Sequence, residues 1–163
     1  MNIEKTMEQL IIKSPSVELN KTFIHNIEGC CFGNLPQNII NEICKDGRPF
    51  SKFIERWLEQ NYPLKYVPGD KDHDHVDIND SKILYDAKTF TKGGCKICSS
   101  KMIGVGRKFN KEEFAEKTKK LIFCIVSNIN FPEIKLRFVR GSELLEEYPK
   151  GLIPSKDYIK FFN

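Results

Sequence analysis

Asp74 and the triplet Asp86-Ala87-Lys88 are the residues whose types and spacing best support chemistry. The segment Lys82 to Phe90 reads KILYDAKTF. Side chains alternate along a strand, so Asp86 and Lys88 project from one face with Leu84 beside them. Among Ile83, Leu84, Tyr85 and Ala87, a charged pair is costly to bury unless it is used. The preceding strand offers Asp74 and Asp77, which point to opposite faces, so only one can share a metal ion with Asp86. Asp74 is favoured because it keeps step with Val76 and Ile78 as a core-facing stripe and follows the turn at Pro68-Gly69; Asp77 is the alternative. Two carboxylates from neighbouring strands suit Mg²⁺, whose octahedron is completed by waters and substrate phosphate, and the backbone carbonyl of Ala87 is a further oxygen ligand. Such an ion polarises a scissile phosphate and acidifies water, while the Lys88 ammonium stabilises hydroxide and the charge developing on phosphorus.

The charges around these residues are sorted into blocks. Asp70, Asp72, Asp74, Asp77, Asp80 and Asp86 are followed by a stretch from Ala87 to Lys111 that holds seven cations and no acid. Acids for metal followed by bases for phosphate are what a nuclease bordering its DNA groove requires. Within the basic stretch, Lys92, Lys96, Lys101, Arg107 and Lys108 are expected to grip phosphates or read guanine edges of double-stranded DNA. Ser99 and Ser100 are expected donors, and Gly93-Gly94 allows close backbone approach. His73 and His75 flank Asp74 as candidates to assist, against an ordinary role as exposed turn residues. Glu42 and Glu55 on preceding helices are candidate additional acids, against ordinary helix-surface carboxylates, and His25 reads as surface or core filler. Of six cysteines, Cys44 and Cys124 read as core, which leaves Cys30, Cys31, Cys95 and Cys98 as a candidate zinc set. That set defines the rival reading, a non-catalytic, zinc-braced nucleic-acid-binding module.

Asp74 followed twelve positions later by Asp86-Ala87-Lys88 resembles the PD-(D/E)XK nuclease superfamily, in which an acid on one strand and an acid-x-Lys on the next bind Mg²⁺. The run PGDKDHDHVD, the loop, helix and buried strand that follow, and the late GLIPSKDYIKFF are similar to small blunt-cutting type II restriction endonucleases. The resemblance covers residues 63–163. It departs from the pattern in lacking a proline directly before Asp74 and in using Asp at position 86. It implies a sequence-specific endodeoxyribonuclease that leaves a 5′-phosphate, with Asp74 and Asp86 on the metal and Lys88 on the water. A small chain reading a palindromic site is expected to be a two-fold homodimer.

The elements that must position these residues are legible in part. Glu4 to Lys13 and Val17 to Ile27 read as short helices. After Pro36, Ile39, Ile40 and Ile43 recur at helical spacing until Asp46-Gly47. Phe53, Ile54, Trp57 and Leu58 make the apolar face of a second helix, with Ser51 a candidate cap. A short strand at Lys65 to Val67 precedes a hairpin turning at Asn79 to Lys82, then a loop of nearly twenty residues. Asn110 and Glu113 open a helix, Leu121 to Val126 reads as a buried central strand, and Ile134, Leu136 and Phe138 mark a half-buried one. Ser142 to Tyr148 and Ser155 to Phe162 read as terminal helices. The expected fold is α/β (α+β): a mixed central sheet flanked by helices with a restriction-endonuclease-like core. It forms one domain over 1–163, with a mainly helical part at 1–62 as the candidate dimerisation region and the catalytic core and DNA-reading loop at 63–163.

With 163 residues, 40% hydrophobic and 29% charged, collagen-like, disordered and membrane-spanning classes are excluded, since the longest apolar run is only Leu121 to Val126. A net charge of +4 permits a nucleic-acid partner because it is unevenly distributed. No signal-peptide pattern opens the chain, so a cytoplasmic protein with reduced thiols is expected.

Overall fold

The computed structural model describes residues 17–69, 72–99, 102 and 106–163. Six strands form one mixed sheet, in the order β1 (Thr22–Asn26), β7 (Glu133–Arg140), β6 (Leu121–Ser127), β4 (Leu84–Phe90), β3 (His75–Asp77) and β2 (Leu64–Tyr66). Only β4 and β6 run parallel; the other neighbours are antiparallel. A two-stranded ribbon pairs β5 (Cys95–Lys96) with β8 (Leu152–Ile153). The helices are α1 (Gln37–Cys44), α2 (Gly47–Asn61), α3 (Lys111–Lys119), α4 (Gly141–Glu147) and α5 (Tyr158–Phe162). This is the expected mixed sheet flanked by helices. Among the described residues, no helix is long and apolar enough to cross a membrane.

Alternation along the strands builds two cores, one on each face of the sheet. Phe123 and Ile125 of β6 join Phe90, Phe114 and Phe161, whereas Cys124 and Val126 join Phe50, Ile54 and Leu58 of α2 together with Tyr85 and Phe138. Because β6 is apolar on both faces, it takes the central place its sequence announces. β4 lies beside it, between β6 and β3.

Several local expectations change. The helix read at Val17 to Ile27 is instead β1, because TFIHN is β-branched and aromatic and its partner β7 offers a full five-residue register. This strand joins the sheet, so the part before residue 63 is less purely helical than its sequence suggests. The helix read at Glu4 to Lys13 lies outside the described residues. Ser51 does not cap α2: the Asp46 carboxylate accepts the Arg48 N–H at 2.9 Å, so Asp46-Gly47 ends one helix and starts the next. The long loop after β4 is tied down by β5–β8 pairing. Gly94, at φ +95°, runs so close to β8 that a Cβ would meet the Ile153 carbonyl at 2.4 Å. The close approach foreseen for Gly93-Gly94 is therefore made by Gly94 to the chain's own backbone.

Candidate active site

The β3–β4 register pairs His75 with Tyr85 and Val76 with Leu84, so one step further Asp74 faces Asp86. The Ala87 N–H donates to Asp74 Oδ2 at 2.9 Å, and the two carboxyl groups are within hydrogen-bonding reach of each other. Lys88 Nζ lies 2.7 Å from Asp86 Oδ2. A residue's N–H and C=O share one edge of a strand, so the Ala87 carbonyl also faces the gap where β3 has ended. Beneath the group, Asp86 and Lys88 pair in register with Phe123 and Ile125, which makes the floor apolar.

That floor sets the electrostatics. Burial, with the Asp74 charge adding to it, pushes the Asp86 carboxyl up to about 7 against the pull of Lys88. Burial works against the Lys88 ammonium as well, but Asp86 and Asp74 more than offset it, and its pKa is raised. A buried carboxyl held partly protonated beside a second acid is a donor set short of positive charge. Mg²⁺ needs only one or two carboxylates, so Asp74, Asp86 and the Ala87 carbonyl fit such an ion. Among the described residues, no group of three or more His, Cys, Asp or Glu side chains is arranged to hold a metal.

Asp86 also provides a test in the metal-free protein. With its folded pKa near 7 against an ordinary 3.8, the folded state holds a proton through this interval that the unfolded chain has lost. Its contribution therefore favours folding at low pH and is lost as pH rises through about 7. Measured by urea unfolding without metal, the stability of wild type relative to Asp86→Asn is expected to fall by on the order of a few kcal/mol between pH 4 and pH 8. Parallel pH profiles would contradict this placement of Asp86.

The other predicted residues fall into three groups. Asp77 is taken by the hairpin turn: its Oδ1 accepts the N–H groups of Asn79 and Asp80, and Tyr85 Oη donates to Oδ2 at 3.3 Å. This leaves Asp74 as the acid beside Asp86. Val76 is only half-buried and Ile78 is exposed, so the stripe that favours Asp74 in the sequence is not a core stripe; the buried residue of β3 is His75. Rather than assisting at the site, His75 shares Tyr85's face and sits 2.7 Å from the Glu55 carbonyl, tying β3 to α2. That tie helps hold Glu55 where burial and then the Asp74 charge raise its pKa, with Lys52 and Lys88 opposing. Of the two helix acids, Glu55 joins the site electrostatically, whereas Glu42 is an exposed residue of α1 lining a polar hollow with Lys45 and Lys92. His73 is half-buried, and His25 is filler with a partner, 2.7 Å from Tyr62 Oη.

Lys92, Lys96, Arg107 and Lys108 are exposed. Ser99 is half-buried, and its hydroxyl oxygen is buried with no hydrogen-bond partner among the described residues. Ser100 and Lys101 lie outside the described residues. The four proposed zinc thiols do not converge. Cys95 and Cys98 are buried in one apolar core, whereas Cys30 packs against the other and Cys30 and Cys31 line an apolar hollow of about 480 Å³ with Cys44. Cys44 is thus at the edge of a core rather than within it.

Two neighbours of the site carry no advance signal. Cys95 lies close enough for Lys88 and Asp86 to act on its thiol, which burial pushes up to about 12. Lys117 of α3 bridges Asp72 at 3.8 Å and Glu113 at 3.2 Å, setting that helix beside the segment leading to Asp74. No family model, curated protein or solved structure matches this chain.

Proposed function

We propose that this protein is a Mg²⁺-dependent endodeoxyribonuclease of the PD-(D/E)XK type, with a restriction-endonuclease-like core, acting on double-stranded DNA as a sequence-specific, two-fold homodimer. The observation that carries the reading is the meeting of Asp74 and Asp86 across β3–β4 over an apolar floor, with Lys88 paired to Asp86.

Asp74, Asp86 and the Ala87 carbonyl would hold the ion, which when bound supplies charge at the scissile phosphate and acidifies water. Asp74 is oriented by the Ala87 N–H, so it needs little rearrangement on loading. Lys88, with its ammonium anchored on Asp86, presents a positive charge where an attacking water loses its proton and where negative charge grows on phosphorus. The apolar floor keeps these charges in a low dielectric, which strengthens each interaction. Glu55 approaches from α2 as a further acid that tunes the pair.

Thermal unfolding with increasing Mg²⁺ tests the donor set directly. Binding to the folded state alone raises Tm, so wild type is expected to be stabilised and Asp74→Asn and Asp86→Asn to lose the effect. Equal stabilisation of all three would place the ion elsewhere. Glu55→Gln is expected to raise the Mg²⁺ concentration for half-maximal cleavage by about 10–100-fold, as loss of a supporting group does; an unchanged requirement would remove Glu55 from the site.

A further inference from the structure

We infer that a second phosphate-binding surface lies at the opening end of β4 and β6, where Lys82, Lys119, Lys120 and Arg140 gather around a cleft of about 230 Å³. It deepens the nuclease reading and rests on it by supplying a grip on the DNA backbone outside the loop at 91–109. These cations come from three separate stretches of sequence, and the strand registers bring them together. Leu84 pairs with Leu121, so Lys82 stands beside Lys119 and Lys120; Ile122 pairs with Arg140, which places that guanidinium one strand further on. Neighbouring strands are about 4.8 Å apart, so the four lie along one short edge of the sheet.

The charge balance of the cleft favours an anion. Lys82, Lys119 and Lys120 have no ion pair among the described residues, and all four cations are exposed. Arg140 alone has a partner, Glu143 at 3.8 Å, and Asp80 nearby accepts the Lys82 backbone N–H. Ser142 adds a hydroxyl to the lining. The cleft also lies close to the catalytic group along β4: Leu84, which lines it, precedes Asp86 by two residues, roughly 7 Å at about 3.3 Å per residue. A polyanion engaged at Asp86 and Lys88 therefore meets this edge next, and the regular phosphates of a nucleic-acid strand are the chemistry that fits a row of exposed cations, three of them without an ion pair among the described residues.

The test measures binding of duplex DNA across a salt series in EDTA, where no cleavage occurs. Removing one phosphate-binding cation makes the slope of log K against log salt shallower by about 0.9. The triple variant Lys82→Gln/Lys119→Gln/Lys120→Gln is expected to bind about a hundredfold more weakly at 0.1 M salt, with a slope shallower by about two to three. Adding Arg140→Gln should extend both changes. The substituted side chains are exposed, and an unchanged Tm in each variant verifies the fold. A triple variant with wild-type slope and affinity overturns the inference, as does saturation of the cleft by inorganic pyrophosphate that leaves DNA binding untouched. Cleavage by wild type in Mg²⁺ is scored separately. A chain that cuts DNA while the triple variant binds normally keeps the nuclease and loses the cleft; one that binds through these cations and never cuts does the reverse.

Discussion

Lys88→Met is expected to lower Mg²⁺-dependent cleavage of duplex DNA by roughly 10²–10³-fold while leaving Mg²⁺ binding intact, whereas Asp86→Ala should lose both. The split follows from geometry. Lys88 is not among the oxygen donors; it is anchored 2.7 Å from Asp86 and offers only its charge. Removing it takes away stabilisation of the transition state, which appears in kcat, and leaves the two carboxylates to bind the ion. Removing Asp86 takes a ligand and also frees Lys88 from its partner, so a loss of at least about 10³-fold is expected. Thermal shift with Mg²⁺ and single-turnover cleavage together resolve the two effects. Lys88→Met cutting within about tenfold of wild type would remove the lysine from the reaction.

Gly141→Ala is expected to destabilise the protein by about 3 kcal/mol or more, lowering Tm by roughly 10 °C at this size. A Cβ there would stand 1.8 Å from the Thr118 carbonyl oxygen, 2.7 Å from its carbon and 3.1 Å from the Leu121 oxygen. All three are backbone atoms at the junction of α3 and β6, so none can swing aside as a side chain would. Gly93→Ala is the matched control, since its Cβ would meet only the Thr91 hydroxyl at 3.7 Å, and a change within about 0.5 kcal/mol is expected. Chemical denaturation of both variants checks the contrast; equal stability would mean that the α3–β6 junction yields. That junction also carries Lys119 and Lys120, so its rigidity bears on the basic edge.

Much of the candidate site is legible in the sequence because strand periodicity is local. The alternation of KILYDAKTF places Asp86 and Lys88 on one face, and the apolar run at Leu121 identifies the strand that floors them. The preference for Asp74 over Asp77 rests, in the sequence, on a stripe at Val76 and Ile78 that is not buried. What separates the two acids is the turn chemistry that occupies Asp77, which depends on backbone conformation at Asn79 and Asp80. Less local features stay hidden. β1 is a strand only because β7 is there to pair with it, and His75 is buried only because α2 crosses above β3. The thiols of Cys30 and Cys95 are separated by the sheet itself, which spacing along the chain does not reveal. The basic edge is hidden for the same reason: Lys82, Lys120 and Arg140 are neighbours only through the parallel pairing of β4 and β6 and the antiparallel pairing of β6 and β7.

The most direct test of the central claim is to incubate purified protein with long phage or plasmid DNA in Mg²⁺, beside Asp86→Ala, and to resolve the products on a gel. Discrete fragments with 5′-phosphate ends, absent from the Asp86→Ala lane, are the result expected of a site-specific nuclease built on Asp74, Asp86 and Lys88. Intact DNA in both lanes, across several long substrates including branched ones, would contradict it.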